Sequence, residues 1–115
     1  MDKDQQFIER LTALGKQILP PDASLWLYGS RARGTAREDS DWDLLILLNK
    51  DQREAEDFSK YGAPFTELAL DEGEYSIPQI YTRRDWKHFS FSPFVKNVEQ
   101  DKIVLVWVWR MKNAK

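Results

Sequence analysis

The sequence predicts one α/β domain in which helices pack against a small mixed β-sheet. Apolar residues recur at helical spacing near the start of the chain, whereas residues 44–48 form an uninterrupted apolar run, as in strands buried on both faces. Helix-like and strand-like segments alternate downstream, which is typical of layered α/β domains. We assign residues 1–115 to a single domain, because a chain of 115 residues has room for one modest core.

The first half of the chain is predicted to contain one long helix and two strands. The helix extends from about 3 to 19 and ends at the Pro-Pro pair that follows it. A strand over 25–28 leads into a single helical turn over 30–33, and a polar loop then returns the chain to the sheet. The apolar run belongs to a second strand over 42–48.

The second half is predicted to consist of short helices separated by two further strands. The helices cover 52–60, 64–71, 83–88 and 92–98, the strands cover 75–82 and 103–109, and a frayed basic tail covers 111–115. Gly62 and Pro64 separate the first two of these helices. Pro78 marks its strand as an edge strand or a bulged one. Thr82 and Ser92 are the expected N-caps of the last two helices.

A glycine-serine turn and a pair of aspartates flank the loop between the first two strands. Gly29-Ser30 follows the first strand and exposes backbone N–H groups and a hydroxyl, which are good donors to phosphate oxygens. Asp41 and Asp43 begin the second strand, and strand alternation places both carboxylates on one face. Each feature alone has an ordinary interpretation, as a strand-ending turn or a solvated strand end. Together they favour a Mg²⁺-nucleotide site, because Mg²⁺ takes hard oxygen ligands together with substrate phosphates.

This combination resembles the signature of the DNA polymerase β-like nucleotidyltransferase superfamily. Ser30 and Asp41 stand eleven positions apart, and the Asp-x-Asp pair opens an apolar strand. The short chain and the segment Ser-Pro-Phe-Val-Lys-Asn-Val over 92–98 are similar to the minimal nucleotidyltransferases. Those are prokaryotic proteins, many of them encoded beside a HEPN-domain partner as toxin–antitoxin pairs. The resemblance extends from about 25 to 109.

The resemblance implies a nucleotidyltransferase fold and a role for each motif residue. Asp41 and Asp43 would ligate the metal ions, Mg²⁺ or Mn²⁺, and act as catalytic residues. Gly29 and Ser30 would hold the β- and γ-phosphates of a nucleoside triphosphate. The implied reaction is an in-line displacement at the α-phosphorus, with AMP as the expected group transferred to a hydroxyl.

Three arginines are candidates from their position alone. Arg31, Arg33 and Arg37 surround the glycine-serine turn, and one or more of them can neutralise the triphosphate or the departing pyrophosphate. A local basic patch beside paired carboxylates suits a metal-bound polyphosphate better than a nucleic acid duplex.

The family pattern also implies a third carboxylate, on a neighbouring strand, that ligates the catalytic metal and helps deprotonate the acceptor. The predicted third strand, 75–82, contains no Asp or Glu. Glu74 stands at its entrance and is the candidate catalytic residue if its side chain faces inward. The alternative is a solvated turn glutamate. Without a third ligand, one metal ion can still bind with the triphosphate, but the acceptor is poorly activated.

The composition of the chain indicates in which cellular compartment we expect the protein and which classes of partner it can bind. The chain has no cysteine, which excludes disulfides and cysteine metal sites, and its one histidine, His88, is assigned no role. The N-terminal segment is polar and no apolar run approaches the roughly 20 residues that span a bilayer, so we expect a cytoplasmic protein without membrane contact. The formal net charge of -2 gives no general attraction to nucleic acid.

Two hypotheses therefore stand. The first is an enzyme that transfers a nucleoside monophosphate to a hydroxyl of a protein partner, as the antitoxin-like member of a pair with a HEPN-like protein. The second is a catalytically impaired module of the same fold that neutralises or regulates its partner by contact. A polymerase acting on nucleic acid is a weaker third interpretation, because the balance of charge is slightly acidic.

Overall fold

The computed structural model describes residues 2–107, which form one mixed sheet with helices on both faces. The strands are β1 (Ser24–Tyr28), β2 (Asp43–Leu48), β3 (Gln79–Thr82) and β4 (Ile103–Val106). Their order across the sheet is β3-β2-β1-β4. Strand β1 runs antiparallel to both β2 and β4, whereas β2 and β3 are parallel. This arrangement confirms the predicted fold class.

Local sequence signals set where the helices begin. The helices are α1 (Lys3–Ile18), α2 (Gly29–Arg33), α3 (Ala63–Asp71), α4 (Arg83–His88) and α5 (Pro93–Asp101). Thr82 and Ser92 cap α4 and α5, each accepting a hydrogen bond from the backbone N–H three residues on. Both caps confirm the prediction. None of the helices within residues 2–107 is long and apolar enough to cross a lipid bilayer.

The two faces of the sheet carry separate apolar clusters. On the α1/α3 face, Leu44, Ile46 and Leu48 of β2 pack against side chains of α1 and α3. On the α4/α5 face, Leu45 and Leu47 pack against side chains of α4 and α5. Strand β2 is thus buried on both sides, as its apolar run predicts. Even-numbered residues of β2 therefore face α1 and α3, and odd-numbered residues face α4 and α5.

The predicted helix over 64–71 is confirmed by α3, whereas the prediction of a separate helix over 52–60 is wrong over residues 52–56. Residues 51–56 form a bend and a turn, and one π-helical turn, Phe58–Gly62, continues directly into α3. The buried carboxylate of Asp57 organises the turns by accepting hydrogen bonds from the Glu54 N–H and the Lys50 ammonium, each at 2.7 Å. The wider π turn lets the Ala63 N–H bond to the Phe58 carbonyl just before Pro64, which has no N–H to offer.

Two predicted strands differ in length from the observed ones. Strand β3 covers only 79–82. The chain before it is joined to the start of β2 by a backbone hydrogen bond from the Trp42 N–H to the Tyr75 carbonyl at 2.9 Å, but it does not continue the β-ladder. Pro78, which lacks an N–H, stands just before the start of β3. Strand β4 is described to Val106, and the predicted strand end at 108–109 and the tail at 111–115 lie outside the described residues.

Candidate nucleotide site

Gly29 and Asp43 are in direct contact at the end of the sheet. Gly29 has φ +75°, a left-handed conformation that favours glycine. A Cβ atom built on Gly29 would lie 2.2 Å from the Oδ2 atom of Asp43, closer than any real contact. The backbone after β1 and the carboxylate at the start of β2 thus share a space that admits no side chain at position 29. The structure brings these two predicted residues together.

Register explains why Asp43 reaches this position. Asp43 is paired with Tyr28 across the antiparallel β1–β2 ladder, so both side chains project from the same face. That face is the α4/α5 face, because Leu45, two residues further along β2, belongs to its apolar cluster. Asp43 is partly buried and Asp41 is exposed. The two carboxylates therefore lie at the open end of the α4/α5 face, next to Gly29.

Burial and a neighbouring carboxylate both disfavour the charged form of Asp43. Partial burial raises the pKa of Asp43 above its ordinary value, and the neighbouring charge of Asp41 raises it further. Arg33 acts in the opposite direction but does not cancel these effects. The same environment raises the pKa of Tyr28 to about 12, first through burial and then through the charges of Asp43 and Tyr81. A bound divalent cation would relieve the repulsion between the two carboxylates.

Ser30 lies in the short helix α2, which begins directly at Gly29. No side chain caps the start of this helix, and Tyr28 precedes it in an extended conformation. The Ser30 carbonyl accepts the Thr35 N–H at 3.0 Å, which closes the helical turn. Because Gly29, the first residue of α2, lies next to the Asp43 carboxylate, the unpaired backbone N–H groups expected at the start of this helix belong to the same end of the sheet as the carboxylates.

The three arginines occupy different places. Arg33 is half exposed, interacts with Asp43, and forms an ion pair with Asp101 of α5 at 2.6 Å. Arg37 is exposed and lines a cavity of about 610 Å³, together with Arg31. Arg31 is different, because its side chain is only 5% exposed and its guanidinium group is engaged by the loop. Of the three, Arg33 is the one whose charge acts on Asp43.

Glu74 is held away from Asp43. Its Oε1 atom accepts a hydrogen bond from the indole N–H of Trp42 at 3.1 Å and lies 3.6 Å from Arg31. The Trp42 ring belongs to the apolar cluster of the α1/α3 face, the side of the sheet opposite Asp43. The alternative interpretation, a solvated turn glutamate, is wrong, because the side chain of Glu74 is only 13% exposed and bonds to Trp42.

An exposed glutamine lies on the strand where the third carboxylate was expected. Gln79 pairs with Leu45 in the parallel β2–β3 ladder and so shares the face of Asp43. Among residues 2–107, no three Asp, Glu, His or Cys side chains come together as a metal-binding group. Within the described part of the chain, the carboxylates that can bind a cation at this end of the sheet are therefore those of Asp41 and Asp43.

An aromatic cluster beside Asp43 was not anticipated. Phe94, at the start of α5, contacts Tyr28 at a ring distance of 5.7 Å and stacks on Tyr81 at 6.1 Å. Because Tyr28 interacts with Asp43, the cluster is continuous with the carboxylates. The pairing of Tyr28 with Asp43 follows from the antiparallel register, which the sequence alone does not specify. The approach of α5 is a long-range contact that no local pattern encodes.

Comparison with known proteins identifies the family of the chain. Residues 5–106 match the family described as the nucleotidyltransferase domain, which is most of the chain. The chain belongs to this family. No match was found among curated proteins.

Two solved structures resemble this nucleotidyltransferase domain. A toxin–antitoxin crystal structure with AMP-PNP has a TM-score of 0.60 at 19% identity, over 87% of this chain and 72% of that chain. A candidate nucleotidyltransferase from Sulfolobus solfataricus has a TM-score of 0.52 at 17% identity, over 90% of this chain and 86% of the other. At these identities the likeness concerns the fold.

Proposed function

We propose that this chain is a metal-dependent nucleotidyltransferase that transfers AMP from ATP to a hydroxyl group of a protein partner. The observation that carries the proposal is the contact between the Gly29 backbone and the Asp43 carboxylate, with Asp41 beside it. The space beside Gly29 is so narrow that a single Cβ atom would fill it, and two carboxylates lie next to it. This arrangement fits a divalent cation that is bound jointly by the carboxylates and a triphosphate. Mg²⁺ and Mn²⁺ both have this ligand preference.

The proposed role of each residue follows from its place. Asp41 and Asp43 would hold the metal, which when bound would stabilise charge on the reacting phosphate oxygens. Gly29 and Ser30 would receive the β- and γ-phosphates through backbone N–H groups and the serine hydroxyl. Arg33, whose charge already acts on Asp43, would neutralise the departing pyrophosphate.

The proposed reaction is a single in-line displacement at the α-phosphorus of ATP. The acceptor oxygen attacks the α-phosphorus, the bond from the α-phosphorus to the bridging oxygen breaks, and pyrophosphate leaves. The hydroxyl proton passes to solvent or to a base supplied by the acceptor. This assignment agrees with the position of Glu74, whose carboxylate is engaged by Trp42 and Arg31.

A protein acceptor is supported by the surface beside the site. Phe89 and Phe91 are 41% and 69% exposed, and they follow one another in the turn between α4 and α5. Phe94, 37% exposed, lies at the start of α5, which follows this turn in the chain, and its ring contacts Tyr28 beside Asp43. Exposed aromatic side chains of this kind are typical of protein interfaces. We further propose that the partner is a HEPN-like protein and that this chain is the antitoxin-like, minimal nucleotidyltransferase member of the pair.

A second candidate function is a binding module that neutralises its partner by contact alone. Gln79 on β3 and the engaged carboxylate of Glu74 favour it, because neither supplies a third carboxylate that is free to hold the metal and deprotonate the acceptor. In this case the fold and the nucleotide affinity persist, while turnover is lost.

Intact-mass measurement separates the two functions. The chain is co-purified with its partner from its host and incubated with each of the four nucleoside triphosphates and Mg²⁺ or Mn²⁺. The enzyme proposal expects the partner to gain the mass of one or more nucleoside monophosphates, and Asp41→Asn/Asp43→Asn to abolish this gain while leaving the fold intact. An unchanged partner mass, together with full neutralisation by the double variant, would contradict catalysis and support the binding module.

A further inference from the structure

Arg31 is buried beneath the loop that leads to Asp41. Its Nε and Nη2 atoms donate to the carbonyl of Ser40 at 3.3 and 2.8 Å, and Nη2 also donates to the carbonyl of Glu38 at 3.1 Å. The guanidinium carbon lies 4.5 Å from the centre of the Trp42 ring. Arg31 thus holds the backbone on one side of Asp41 and the side chain on the other.

Glu74 completes this arrangement from a distant part of the chain. Its Oε1 atom accepts the Trp42 indole N–H at 3.1 Å and lies 3.6 Å from the Nη2 atom of Arg31. Asp4 of α1 adds a second carboxylate, 3.3 Å from Nη1 of Arg31. The backbone N–H of Trp42 donates to the carbonyl of Tyr75, the residue after Glu74. Two separate segments thereby converge on Ser40 and Trp42, the residues that flank Asp41, and α1 supports them through the contact of Asp4 with Arg31.

We propose that Arg31 and Glu74 are positioning residues that hold the carboxylates of Asp41 and Asp43 in the geometry needed for the metal-nucleotide complex. This inference rests on the proposed function. Trp42 lies between the two aspartates, so strand alternation projects them to the face opposite its ring. Fixing the ring and the Ser40 carbonyl therefore fixes the direction of both carboxylates, although Asp41 itself is exposed.

The contacts favour this role over direct ligand binding. A guanidinium group that binds phosphate presents its N–H donors to solvent, whereas those of Arg31 face carbonyl and carboxylate oxygens and the side chain is 5% exposed. A carboxylate that ligates the metal of this site must reach the α4/α5 face, whereas that of Glu74 bonds to a side chain of the α1/α3 face. Lysine cannot replace arginine here, because its single ammonium lacks the planar fork that bonds two carbonyls.

The test is Mn²⁺ binding in the presence of a non-hydrolysable ATP analogue, measured by electron paramagnetic resonance at a temperature where each variant is fully folded. Arg31→Lys and Glu74→Gln should each weaken Mn²⁺ binding by about 10–100-fold, the usual effect of residues that orient metal ligands. The double variant should lose little more than either single one, because both act through one cluster. Arg10→Gln is the matched control, since Arg10 pairs with Glu72 without touching the loop. It should bind Mn²⁺ normally.

The outcomes distinguish this inference from the function on which it rests. If Arg31→Lys and Glu74→Gln bind Mn²⁺ normally while Asp41→Asn/Asp43→Asn does not, the positioning role is refuted and the proposed site stands. If the double aspartate variant binds normally, the proposed site itself is wrong. Loss of binding in Glu74→Gln alone would make Glu74 a direct ligand and overturn the positioning role.

A further variant keeps the test decisive if Arg31→Lys does not fold. Trp42→Phe retains an aromatic ring but removes the N–H that bonds to Glu74. Neither side chain at position 42 can ligate a metal, so weaker Mn²⁺ binding by the folded variant supports positioning, and unchanged binding contradicts it.

Discussion

Replacing Gly29 by alanine should weaken metal-nucleotide binding by about 100-fold at a modest cost in stability. A non-glycine residue at φ +75° is strained by about 1–2 kcal/mol. The new Cβ would meet the Asp43 carboxylate oxygen at 2.2 Å, whereas ordinary contact begins at 3.4 Å, so the carboxylate must withdraw by about 1.2 Å. A displacement of about 1 Å in a reacting group can reduce catalysis by about 100-fold. We therefore expect a loss of this order in Mn²⁺-nucleotide affinity and in transfer.

Gly34→Ala supplies the matched control for this prediction. Gly34 has φ +78°, so its backbone strain is equivalent, but no atom lies within 4 Å of the position its Cβ would take. Both variants should lower the thermal midpoint by roughly 4–8 °C per kcal/mol of strain. Only Gly29→Ala should also lose binding, as measured by Mn²⁺ titration with a non-hydrolysable ATP analogue. Equal binding by the two variants would refute the inference that Gly29 makes room for Asp43.

Two further predictions concern Asp43 and the exposed phenylalanines. Because the pKa of Asp43 is raised in the folded chain, its contribution to stability is present below the ordinary pKa and is lost as pH rises through the raised one. Asp43→Asn should therefore raise the metal-free melting temperature at pH 7 but not below roughly pH 4; equal melting temperatures at pH 7 would contradict the raised pKa. Phe89→Ser/Phe91→Ser should reduce transfer to the partner at least about tenfold, as truncation of aromatic interface residues does, without changing Mn²⁺-nucleotide binding. Leu70→Ser, which alters an exposed apolar residue of α3 on the other layer, should leave both intact, and a larger loss in Leu70→Ser would argue against docking at the phenylalanines.

The parts of the site that sequence could predict are local. Gly29, Ser30 and the two aspartates lie within one strand–loop–strand segment, and the period of a strand suffices to place Asp41 and Asp43 on one face. The caps at Thr82 and Ser92 are likewise decided within a few residues. Such features depend on the order of neighbouring residue types, which a single sequence displays directly.

The parts that sequence missed depend on long-range contacts. Arg31 and Glu74 lie 43 positions apart, and no local pattern distinguishes a phosphate-binding arginine from one that bonds to carbonyl oxygens. The predicted helix over 52–60 failed for a related reason. Its polar pattern is compatible with a helix, but burial of Asp57 against Lys50 and the Glu54 N–H stabilises turns instead. Tertiary contacts override weak helical propensity in such a segment.

Because Asp41, Trp42 and Asp43 alternate between the two faces of the sheet, the register of β2 decides both where the Trp42 ring packs and where the two carboxylates point. A slip of β2 by one residue would turn the carboxylates into the α1/α3 core and move the Trp42 ring, now 2% exposed, into solvent. Both changes are strongly unfavourable, since burying unpaired charge and exposing a large aromatic ring each cost free energy. This slipped register is thus excluded by the same apolar packing that builds the core. The apolar packing that builds the core therefore also sets the face of the sheet on which Asp41 and Asp43 lie.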